Sequence, residues 1–303
     1  MAKTEPLAWI DGGVVPLAAA RLPLTDRGFL FADSIFDTVR TYGGRPFLLG
    51  DHLDRLRASA AAVFLPVPWS DSELVAIANE LLARHPGEAS LRIMITRGDG
   101  GSGLALPEPQ RPRLVVLCRP LHPPDASAYR EGVSVVRPPG GQAKASGVPS
   151  HVKSGSYLAN VLALREARQR GGFEALLLAA DGSWSEATTS NLFVVRDGAL
   201  RTPGLADDIL PGITRALVLE VAASLGIAAT EGAVGDADLL GADELFLTSS
   251  IKEVLPVTRV DDLPVGAGVP GPVTQRISQG FAAAVQRLQA AGTTRLADGI
   301  DPA

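Results

Sequence analysis

The stretch KSGSYLANVLALREARQRGGFEALLLAADG, residues 153–182, sets the pattern of the second half of the chain. Its apolar spacing predicts a helix from Ser154 to Arg170, which should end at the glycine pair that follows. The apolar run EALLLAA at 174–180 then predicts a strand, and Asp181-Gly182 predicts a tight turn. A helix that leads through a short turn into a buried strand is typical of α/β architecture.

The rest of the second half continues this alternation. Two strands should flank a tight turn in NLFVVRDGALRTP at 191–203, and a helix should open at Pro211-Gly212 and run to Gly226. ELFLT at 244–248 predicts another strand, and Val273 to Ala291 predicts an amphipathic C-terminal helix. No repeat or low-complexity tract interrupts the pattern, so we expect one continuous α/β scaffold.

The first half predicts a smaller α+β domain. From Leu7 to Leu117 the order is strand, strand, helix, helix, strand, strand, with the clearest helix starting near Gly50. The proline-rich stretch RPLHPPDAS has no periodicity and predicts a linker. We therefore expect a domain at 1–118, a linker at 119–128 and a larger domain at 129–303.

Composition narrows the class of protein. With 303 residues, 46% of them hydrophobic, the chain can bury two cores. The net charge is −5, and the sequence pI of about 5.5 gives no concentrated basic surface, so nucleic acid is not an expected partner. The N-terminus lacks a signal-peptide pattern and no segment is long enough to span a membrane, so we expect no membrane partner. The single cysteine, Cys118, lies in an apolar run, which fits a buried thiol and a cytoplasmic location.

Three loops combine hydroxyl groups with backbone N–H groups in a way that suits an anion. They are 188–191 (TTSN), 211–214 (PGIT) and 248–250 (TSS). In the second of these, Ile213 and Thr214 should lie in the first turn of a helix, where backbone amides have no partner within the helix. Simple helix capping explains this motif equally well on its own.

Lys153 and Glu186 are the residues best suited to amine chemistry. The chain has only four lysines, Lys3, Lys144, Lys153 and Lys252, so a lysine retained just before a helix is a candidate for imine formation with an aldehyde cofactor. Tyr157 is expected one helical turn later on the same face. A carboxylate such as Glu186 can keep a pyridine ring protonated. A surface lysine and a solvated glutamate are the alternatives that the residues alone leave open.

Two other chemistries are disfavoured by context. GDGGSG at 98–103 formally satisfies the dinucleotide pattern, but the prolines at 107, 109 and 112 prevent the helix that should follow it. A flexible loop near the cofactor is the preferred interpretation. The four histidines are scattered without ligand spacing, so no metal is expected.

Four ordered motifs carry a family resemblance. KSGSYLANVLALREA, SEATTSNLF, LPGITR and ADELFLTSSIKEVLPV occur in this order between His151 and Val257, and DRGFLFADSIFDTVR and HLDRLRASA precede them. The chain resembles the class IV, fold-type IV family, which includes branched-chain aminotransferases, D-amino acid aminotransferases and 4-amino-4-deoxychorismate lyases. The resemblance implies a small α/β domain followed by a larger pseudo-barrel domain, pyridoxal 5′-phosphate as cofactor, and a homodimer whose active site borrows residues from the partner's small domain.

The resemblance also implies roles for individual residues. Lys153 would be the Schiff-base lysine, and Glu186 would face the pyridine nitrogen. Arg55 would bind the cofactor phosphate, for which a guanidinium fork is well suited. The other residues implied at the phosphate are Ile213, Thr214, Ser249 and Ser250. One departure is Ala187, where the family usually has glycine.

The reaction is less closely defined than the cofactor. The tyrosine, arginine and histidine that hold the substrate carboxylate in D-amino acid aminotransferases are replaced here by Phe36, Ser102 and Leu104, which disfavours that binding mode. Branched-chain enzymes use backbone amides at Ser250 and Ile251 and an arginine at the position of Arg92.

Apolar side chains at Phe36, Leu104 and Leu106 suit an apolar substrate. Arg40 and Arg97 are further candidate carboxylate ligands. We expect amino transfer between an amino acid and a 2-oxo acid, with Tyr157 steering the ammonium of Lys153. The alternatives are release of pyruvate from 4-amino-4-deoxychorismate, and a family member that binds the cofactor without turnover.

Overall fold

The computed structural model describes residues 5–100, 103–138 and 147–296. These residues form two compact units. The first holds the described residues up to His122, together with Val152–Ser156 and those from Leu288 onward. The second holds the described residues of Pro123–His151 and all of Tyr157–Arg287. The short segment Val152–Ser156 and the C-terminal residues thus lie with the first unit, whereas the sequence-based division assigns them to the second domain.

The first unit is an antiparallel sheet backed by two helices. The sheet order is β2-β1-β6-β5-β3-β4. Its strands are β1 (Leu7–Ile10), β2 (Gly13–Pro16), β3 (Ser34–Tyr42), β4 (Arg45–Pro46), β5 (Ala89–Thr96) and β6 (Arg113–Pro120). The helices are the short α1 (Arg27–Phe31), α2 (Leu49–Ala62) and α3 (Asp71–Ala83). The two longer helices are confirmed, but four strands and α1 precede them where the apolar pattern predicts only two strands.

Helix α2 buries one face against this sheet. Leu49, Leu53, Leu56 and Ala60 recur at helical spacing and are all at most 3% exposed. They pack with Ile35, Val39, Leu91 and Ile93 from the sheet. Cys118 on β6 belongs to the same core and is fully buried, as the sequence predicts.

The C-terminal segment closes the N-terminal end of α2. The Gly50 N–H donates to the Thr294 carbonyl at 2.8 Å, and the Leu296 N–H donates to Asp51 Oδ2 at 2.7 Å. A Cβ at position 50 would lie 2.6 Å from Arg295 Cγ, so only glycine allows this approach. Residues 294–296 are therefore part of the structure around α2.

The second unit is a nine-stranded sheet that closes on itself. Its order is β12-β11-β10-β13-β14-β7-β8-β9, and β9 also pairs with β10, which completes a barrel of six strands; β15 pairs with β14. The strands are β7 (Val133–Val136), β8 (Glu174–Leu178), β9 (Trp184–Ala187), β10 (Ser190–Arg196), β11 (Ala199–Thr202), β12 (Ala229–Glu231), β13 (Glu244–Ser249), β14 (Glu253–Val260) and β15 (Leu263–Pro264). The fold class, including the barrel-like second domain, is thereby confirmed.

Five helices accompany the barrel within the described residues: α4 (Ala126–Glu131), α5 (Leu158–Gln169), α6 (Ile213–Ser224), α7 (Asp236–Leu240) and α8 (Pro272–Ala291). The predicted strands at EALLLAA and ELFLT, the hairpin in NLFVVRDGALRTP and the helices α6 and α8 are all confirmed. In the part of the chain that the structure describes, no helix combines the length and apolar character needed to cross a membrane.

Candidate active site

The segment that carries Lys153 is extended and pairs with the edge of β3. The Phe36 N–H donates to the Lys153 carbonyl at 2.9 Å, and the Gly155 N–H donates to the Ser34 carbonyl at 2.7 Å. The Lys153 N–H in turn donates to the buried Ser59 Oγ of α2 at 3.1 Å. Three hydrogen bonds therefore place the backbone on both sides of the lysine.

This pairing corrects the predicted helix. Helix α5 begins at Leu158 rather than Ser154, and Tyr157 is its N-cap residue with φ −103° and ψ 10°. A β-type backbone at 153–155 cannot also be the first turn of a helix, because the Lys153 carbonyl and the Gly155 N–H are bonded to β3. The expectation that Tyr157 lies one helical turn from Lys153 is wrong, so helical spacing no longer supports the catalytic role predicted for Tyr157.

The ring of Phe36 receives two cationic side chains. Lys153 Nζ lies 4.7 Å from the ring centroid and Arg92 Cζ lies 3.5 Å from it. In the β3–β5 register Phe36 is opposite Met94. Arg92 is two residues from Met94 on β5, so the Arg92 and Phe36 side chains are on the same face of the sheet. Phe36 is only 3% exposed. Arg92 is thus brought to the same ring as the candidate Schiff-base lysine.

Arg40 lies on the same face of β3 but stacks elsewhere. Its Cζ is 4.1 Å from the centroid of the Tyr42 ring. Arg40 is buried, at 9% exposure. Of these two arginines, Arg92 is the one that shares an aromatic partner with Lys153.

Arg97, by contrast, is an internal structural residue. Its Nε donates to both oxygens of Asp33, and Nη1 donates to the Phe64 carbonyl at 2.8 Å and to Gln110 Oε1 at 2.7 Å. Nη2 donates to the Val63 carbonyl at 2.9 Å. With 2% exposure and these contacts, the guanidinium holds loops of the first unit together. This geometry overturns the expected role of Arg97 as a carboxylate ligand.

Arg55 is oriented by a buried carboxylate. Asp37 lies on the core face of β3, opposite in direction to Phe36, and is fully buried. It accepts hydrogen bonds from Arg55 Nε and Nη2, both at 2.8 Å, and contacts His52 Nδ1 at 2.7 Å. His52 and Arg55 are three residues apart on α2, so they share one helix face. Asp37 therefore sets the direction in which the Arg55 guanidinium points.

The charges in this cluster are unequal. Burial opposes ionisation of Asp37, but the positive charge of Arg55 and the contact with His52 outweigh it and hold the pKa of Asp37 far below its usual range. Burial lowers the pKa of His52 in spite of its neighbour Asp37. Asp37 is then an anion paired with Arg55, and His52 is the neutral donor that completes the carboxylate's hydrogen bonds.

In the second unit, Glu186 is held by a small group of polar atoms. Its Oε2 accepts from Asn191 Nδ2 at 3.3 Å and from the Leu210 N–H at 3.0 Å. Asn191 Nδ2 also donates to the Leu210 carbonyl at 3.0 Å. A Cβ at Gly212 would lie 1.9 Å from Asn191 Oδ1, so glycine is required there. Glu186 is 9% exposed, and its carboxylate is thus fixed by the loop that leads into α6.

That loop ends in a helix N-terminus suited to an anion. Gly212 is the N-cap of α6 and makes no side-chain capping bond, and the first turn of α6 contains no acidic residue. Ile213 and Thr214 are the first residues of this 12-residue helix. Without a carboxylate from the helix itself, its positive end can receive an external phosphate.

The turn after β13 carries the other predicted anion ligands. Ser249, Ser250 and Ile251 are each partly exposed. The Lys252 N–H donates to Ser249 Oγ at 3.2 Å, so this hydroxyl already accepts one hydrogen bond and is suited to donate its proton outward.

A buried ion pair adjoins this turn. Glu174, 2% exposed, pairs with Lys252 Nζ and accepts from the Thr188 hydroxyl at 2.9 Å and the Thr189 N–H at 2.8 Å. It also accepts from the hydroxyls of Thr189 and Ser190. Burial alone would raise the pKa of Glu174, but Lys252 and these donors lower it.

The glycine-rich loop after β5 opens no helix in its described residues. A Cβ on Gly98 would meet the Arg111 carbonyl oxygen at 1.8 Å, and Gly98 has φ +74°, so the loop needs glycine for its own path. Leu104 is 80% exposed and Leu106 is 45% exposed, and their role as apolar lining stays a prediction. Ser102 lies outside the described residues.

The model of the amino-transferase class IV family matches residues 34–260, about three quarters of the chain. The chain belongs to the class IV aminotransferase family. It is similar to the branched-chain-amino-acid aminotransferase of Salmonella typhimurium strain LT2, with 32% identity over 92% of this chain and 93% of that protein. The D-alanine aminotransferase of Bacillus licheniformis is 31% identical over 88% and 93%.

A solved structure shares the fold of this aminotransferase. The branched-chain amino acid aminotransferase of Escherichia coli superimposes with a TM-score of 0.87 and 31% identity, over 93% of this chain and 94% of that one. The family match and these relatives confirm the predictions of an enzyme and of an aminotransferase. Class IV aminotransferases use pyridoxal phosphate, and the solved structure of one similar branched-chain aminotransferase contains pyridoxamine 5′-phosphate.

Sequence reasoning missed the residues that support the predicted ligands of this aminotransferase. Asp37 lies between Ile35 and Val39 on the core face of β3, and Asn191 comes directly before the apolar run of β10; a polar residue in such a setting signals a buried hydrogen-bond network. Glu174 opens the apolar strand β8 and carries the same signal. The partner of Lys252 cannot be inferred from local pattern, because Glu174 is distant in sequence.

Proposed function

We propose that this aminotransferase binds pyridoxal 5′-phosphate through Lys153 and transfers an amino group between an amino acid with an apolar side chain and a 2-oxo acid. The observation that carries the proposal is the donor set of the second unit. Glu186 is a buried carboxylate held in place by Asn191 and Leu210, next to a helix N-terminus that lacks an acidic residue. A carboxylate and an anion site in one loop suit a cofactor that has a basic ring nitrogen and a phosphate.

The residues proposed to hold the cofactor are Lys153, Arg55, Glu186, Ile213, Thr214, Ser249 and Ser250. When bound, pyridoxal phosphate supplies an aldehyde carbon that reacts with amines and a ring that accepts electron density from the substrate's α-carbon.

The protein's own groups have separate tasks. Lys153 Nζ is an amine that can accept a proton and return it to a different atom, and its backbone is placed by β3 and Ser59. The Glu186 carboxylate would hold a proton on the ring nitrogen. Arg55 would bind phosphate as a guanidinium whose direction is set by Asp37.

The first unit also supports a substrate subsite. Phe36 presents an apolar ring beside Lys153, and Arg92 lies on that ring as a fixed positive charge. We propose Arg92 as the carboxylate ligand, with Arg40 as a second guanidinium on the same strand face. The backbone at Ser250 and Ile251 is the proposed carboxylate site in the second unit. An apolar side chain of the amino donor suits Phe36, and relatives named for branched-chain amino acids and for D-alanine leave both stereochemical classes to be assayed.

The first experiment maps the covalent attachment. The purified enzyme is loaded with pyridoxal phosphate, reduced with borohydride and digested, and we expect the modified peptide to contain Lys153. Attachment at Lys252 or at Lys144, which lies outside the described residues, would contradict the assignment.

The second experiment tests the reaction. A panel of L- and D-amino acids is assayed with 2-oxoglutarate or pyruvate as acceptor, and one preparation is also assayed with 4-amino-4-deoxychorismate. We expect amino transfer, fastest with apolar donors. Pyruvate release from the last compound without any amination of a keto acid would contradict the proposal.

We further propose a homodimer that contributes to the active site. Each unit exposes a run of large apolar side chains at its surface, which a monomer rarely tolerates. In the first unit these are Leu22, Leu24, Phe29, Leu30, Phe31, Leu104 and Leu106, and in the second unit they include Leu158, Val161 and Leu162. The exposed Leu104 follows the glycine-rich loop, where a second copy can use it as substrate lining.

A further inference from the structure

Lys252 makes contacts in two directions that no role in the reaction accounts for. Its ammonium pairs with Glu174 and donates to Thr189 Oγ1 at 2.5 Å and Ser190 Oγ at 3.0 Å. Its backbone N–H donates to Ser249 Oγ at 3.2 Å. The ammonium is therefore committed to Glu174 and the loop beside it, while the backbone of the same residue supports another loop.

The two loops are the ends of neighbouring strands. The β10–β13 ladder ends where Asn191 is opposite Thr248. Beyond that pair, Ser190 begins β10 after the turn at Thr188 and Thr189, and Ser249 ends β13 before the turn that contains Lys252. The Lys252 side chain continues the connection past the last ladder hydrogen bond.

These loops carry different parts of the proposed cofactor site. Ser190 precedes Asn191, which holds the Glu186 carboxylate at 3.3 Å. Ser249 is one of the proposed phosphate ligands. A displacement of either loop would change the separation between the ring-nitrogen partner and the phosphate ligands.

We propose that Lys252 is a positioning residue which, through buried Glu174, ties the 188–190 loop to the 249–252 loop and so holds Ser249 at a fixed separation from Glu186. The proposal rests on the proposed function in one respect only, namely that the ligand whose binding it controls is pyridoxal phosphate. The tie itself is a property of the fold.

The electrostatics explain why a lysine is used. Glu174 is buried, and its four remaining hydrogen bonds come from neutral hydroxyl and amide groups. Lys252 is the cation that balances this carboxylate. A long, unbranched side chain lets the charge reach Glu174 while its backbone remains in the turn that contains Ser249.

The test compares three variants. Lys252→Met keeps the length of the side chain and removes the charge. The double variant Lys252→Met, Glu174→Gln also removes the carboxylate that would be left without a cation. Its stability should recover, but the link between the two loops through the Lys252 side chain should not. Arg137→Met is the matched control, because it breaks another partly buried ion pair of the same unit, to Asp261 at 2.8 Å.

The first readout is hydrogen exchange of the full-length protein. We expect faster exchange at the amides of Thr189 and Lys252 in both Lys252 variants and no change there in the control. The second readout is the Kd for pyridoxal phosphate from spectroscopic titration. We expect it to rise about tenfold, the lower end of the effect of removing a group that supports a ligand, with kcat at saturating cofactor close to that of the parent.

Each other outcome overturns the proposal. Unchanged exchange in the two loops would show that Lys252 does not tie them. Faster exchange with an unchanged Kd would show that the tie does not position the cofactor ligands, and recovery of the Kd in the double variant would reduce the role of Lys252 to neutralising Glu174. A parent protein that binds no pyridoxal phosphate at all refutes the proposed function, whereas the exchange comparison still decides the tie.

Discussion

Individual residues in this aminotransferase act through partners that are themselves buried. Arg55 depends on Asp37, and Asp37 is satisfied in turn by His52. A buried carboxylate without a cationic partner is costly, so each member of the cluster stabilises the others. The same arrangement recurs in the second unit with Lys252 and Glu174. In both cases an internal charge pair holds a proposed cofactor ligand or the residues beside one.

His52 should make stability depend on pH. Its pKa is lowered in the folded protein, so the unfolded chain binds more protons as the pH falls below about 6.5. We expect the free energy of unfolding to decrease between pH 7.5 and 5.5, with a contribution from His52 of at most about 1.4 kcal/mol per pH unit. Denaturant unfolding at several pH values measures it.

His52→Asn is the matched variant, because its amide can donate to Asp37 and cannot titrate in this range. Its stability should vary less with pH than that of the parent protein. Parallel pH profiles for the two proteins would show that His52 is not the group responsible.

Arg92 should affect substrate binding more than Arg40 does. Removing a charge-assisted hydrogen bond to a carboxylate typically costs about 1.5–3 kcal/mol, or about tenfold to a hundredfold in affinity. We expect Arg92→Gln to raise the KM for the 2-oxo acid by this factor and Arg40→Gln to raise it less. Steady-state kinetics of both variants at saturating cofactor test the assignment, and the reverse order would transfer the role to Arg40.

At the scale of elements, the segment at 153–155 behaves as an extra strand on the edge of β3. The segment comes closest to β3 at Gly155, where an added Cβ would lie 2.2 Å from Ser34 Oγ. Because Gly155 does not have a positive φ, alanine is excluded there by this contact and not by backbone strain.

Gly155→Ala should therefore be destabilising, and a second substitution should rescue it. Overpacking of this kind typically costs about 1–3 kcal/mol. Ser34→Ala removes the clashing oxygen and leaves the Ala32 carbonyl oxygen at 3.4 Å from the added Cβ, so the double variant should recover most of the loss. Chemical denaturation of the four proteins in this cycle gives the coupling, and additive effects would show that the contact is not the cause.

The elements that follow from the sequence are those with strong local patterns. Helices α2 and α6 have apolar residues at helical spacing, and β13 is a short apolar run, so their positions could be predicted. The start of α5 could not, because residues 154–157 have helical composition but their backbone pairs with a strand more than a hundred residues earlier. Long-range pairing overrides local preference.

The residues of the candidate site also fall into two groups, those that the sequence predicts and those that depend on contacts between distant segments. The ordered motifs predict Lys153, Glu186 and Arg55 as cofactor ligands, and these roles stay predictions. The predicted placement of Tyr157 one helical turn from Lys153 is wrong, and so is the predicted exposure of Arg97 to a substrate, because each depends on neighbours that are distant in sequence. The ion pair of Lys252 could not be predicted either, since Glu174 is 78 positions away in sequence and the two residues meet only in the folded protein.

At the scale of the whole molecule, the exposed apolar side chains predict self-association. Leu158 is 69% exposed and Val161 is 57% exposed, on one face of α5. Replacing both by glutamate should shift the protein from dimer to monomer in light scattering, because charged groups would have to be buried on association. Leu263→Glu is the control, since Leu263 is 52% exposed on the two-residue strand β15. A parent protein that is monomeric and active at assay concentration contradicts the dimer.

The contact of Thr294 and Leu296 with the start of α2 has a consequence for the order in which the protein matures in the cell. A ribosome makes the chain from its N-terminus and keeps the newest residues inside its exit tunnel. The helix that carries Arg55 emerges well before residues 294–296, which supply the acceptor and the donor of two hydrogen bonds at its N-terminal end. The first unit therefore cannot reach its final form until residues 294–296 have been made and have emerged, and until then the uncovered α2 terminus is a surface that chaperones can recognise.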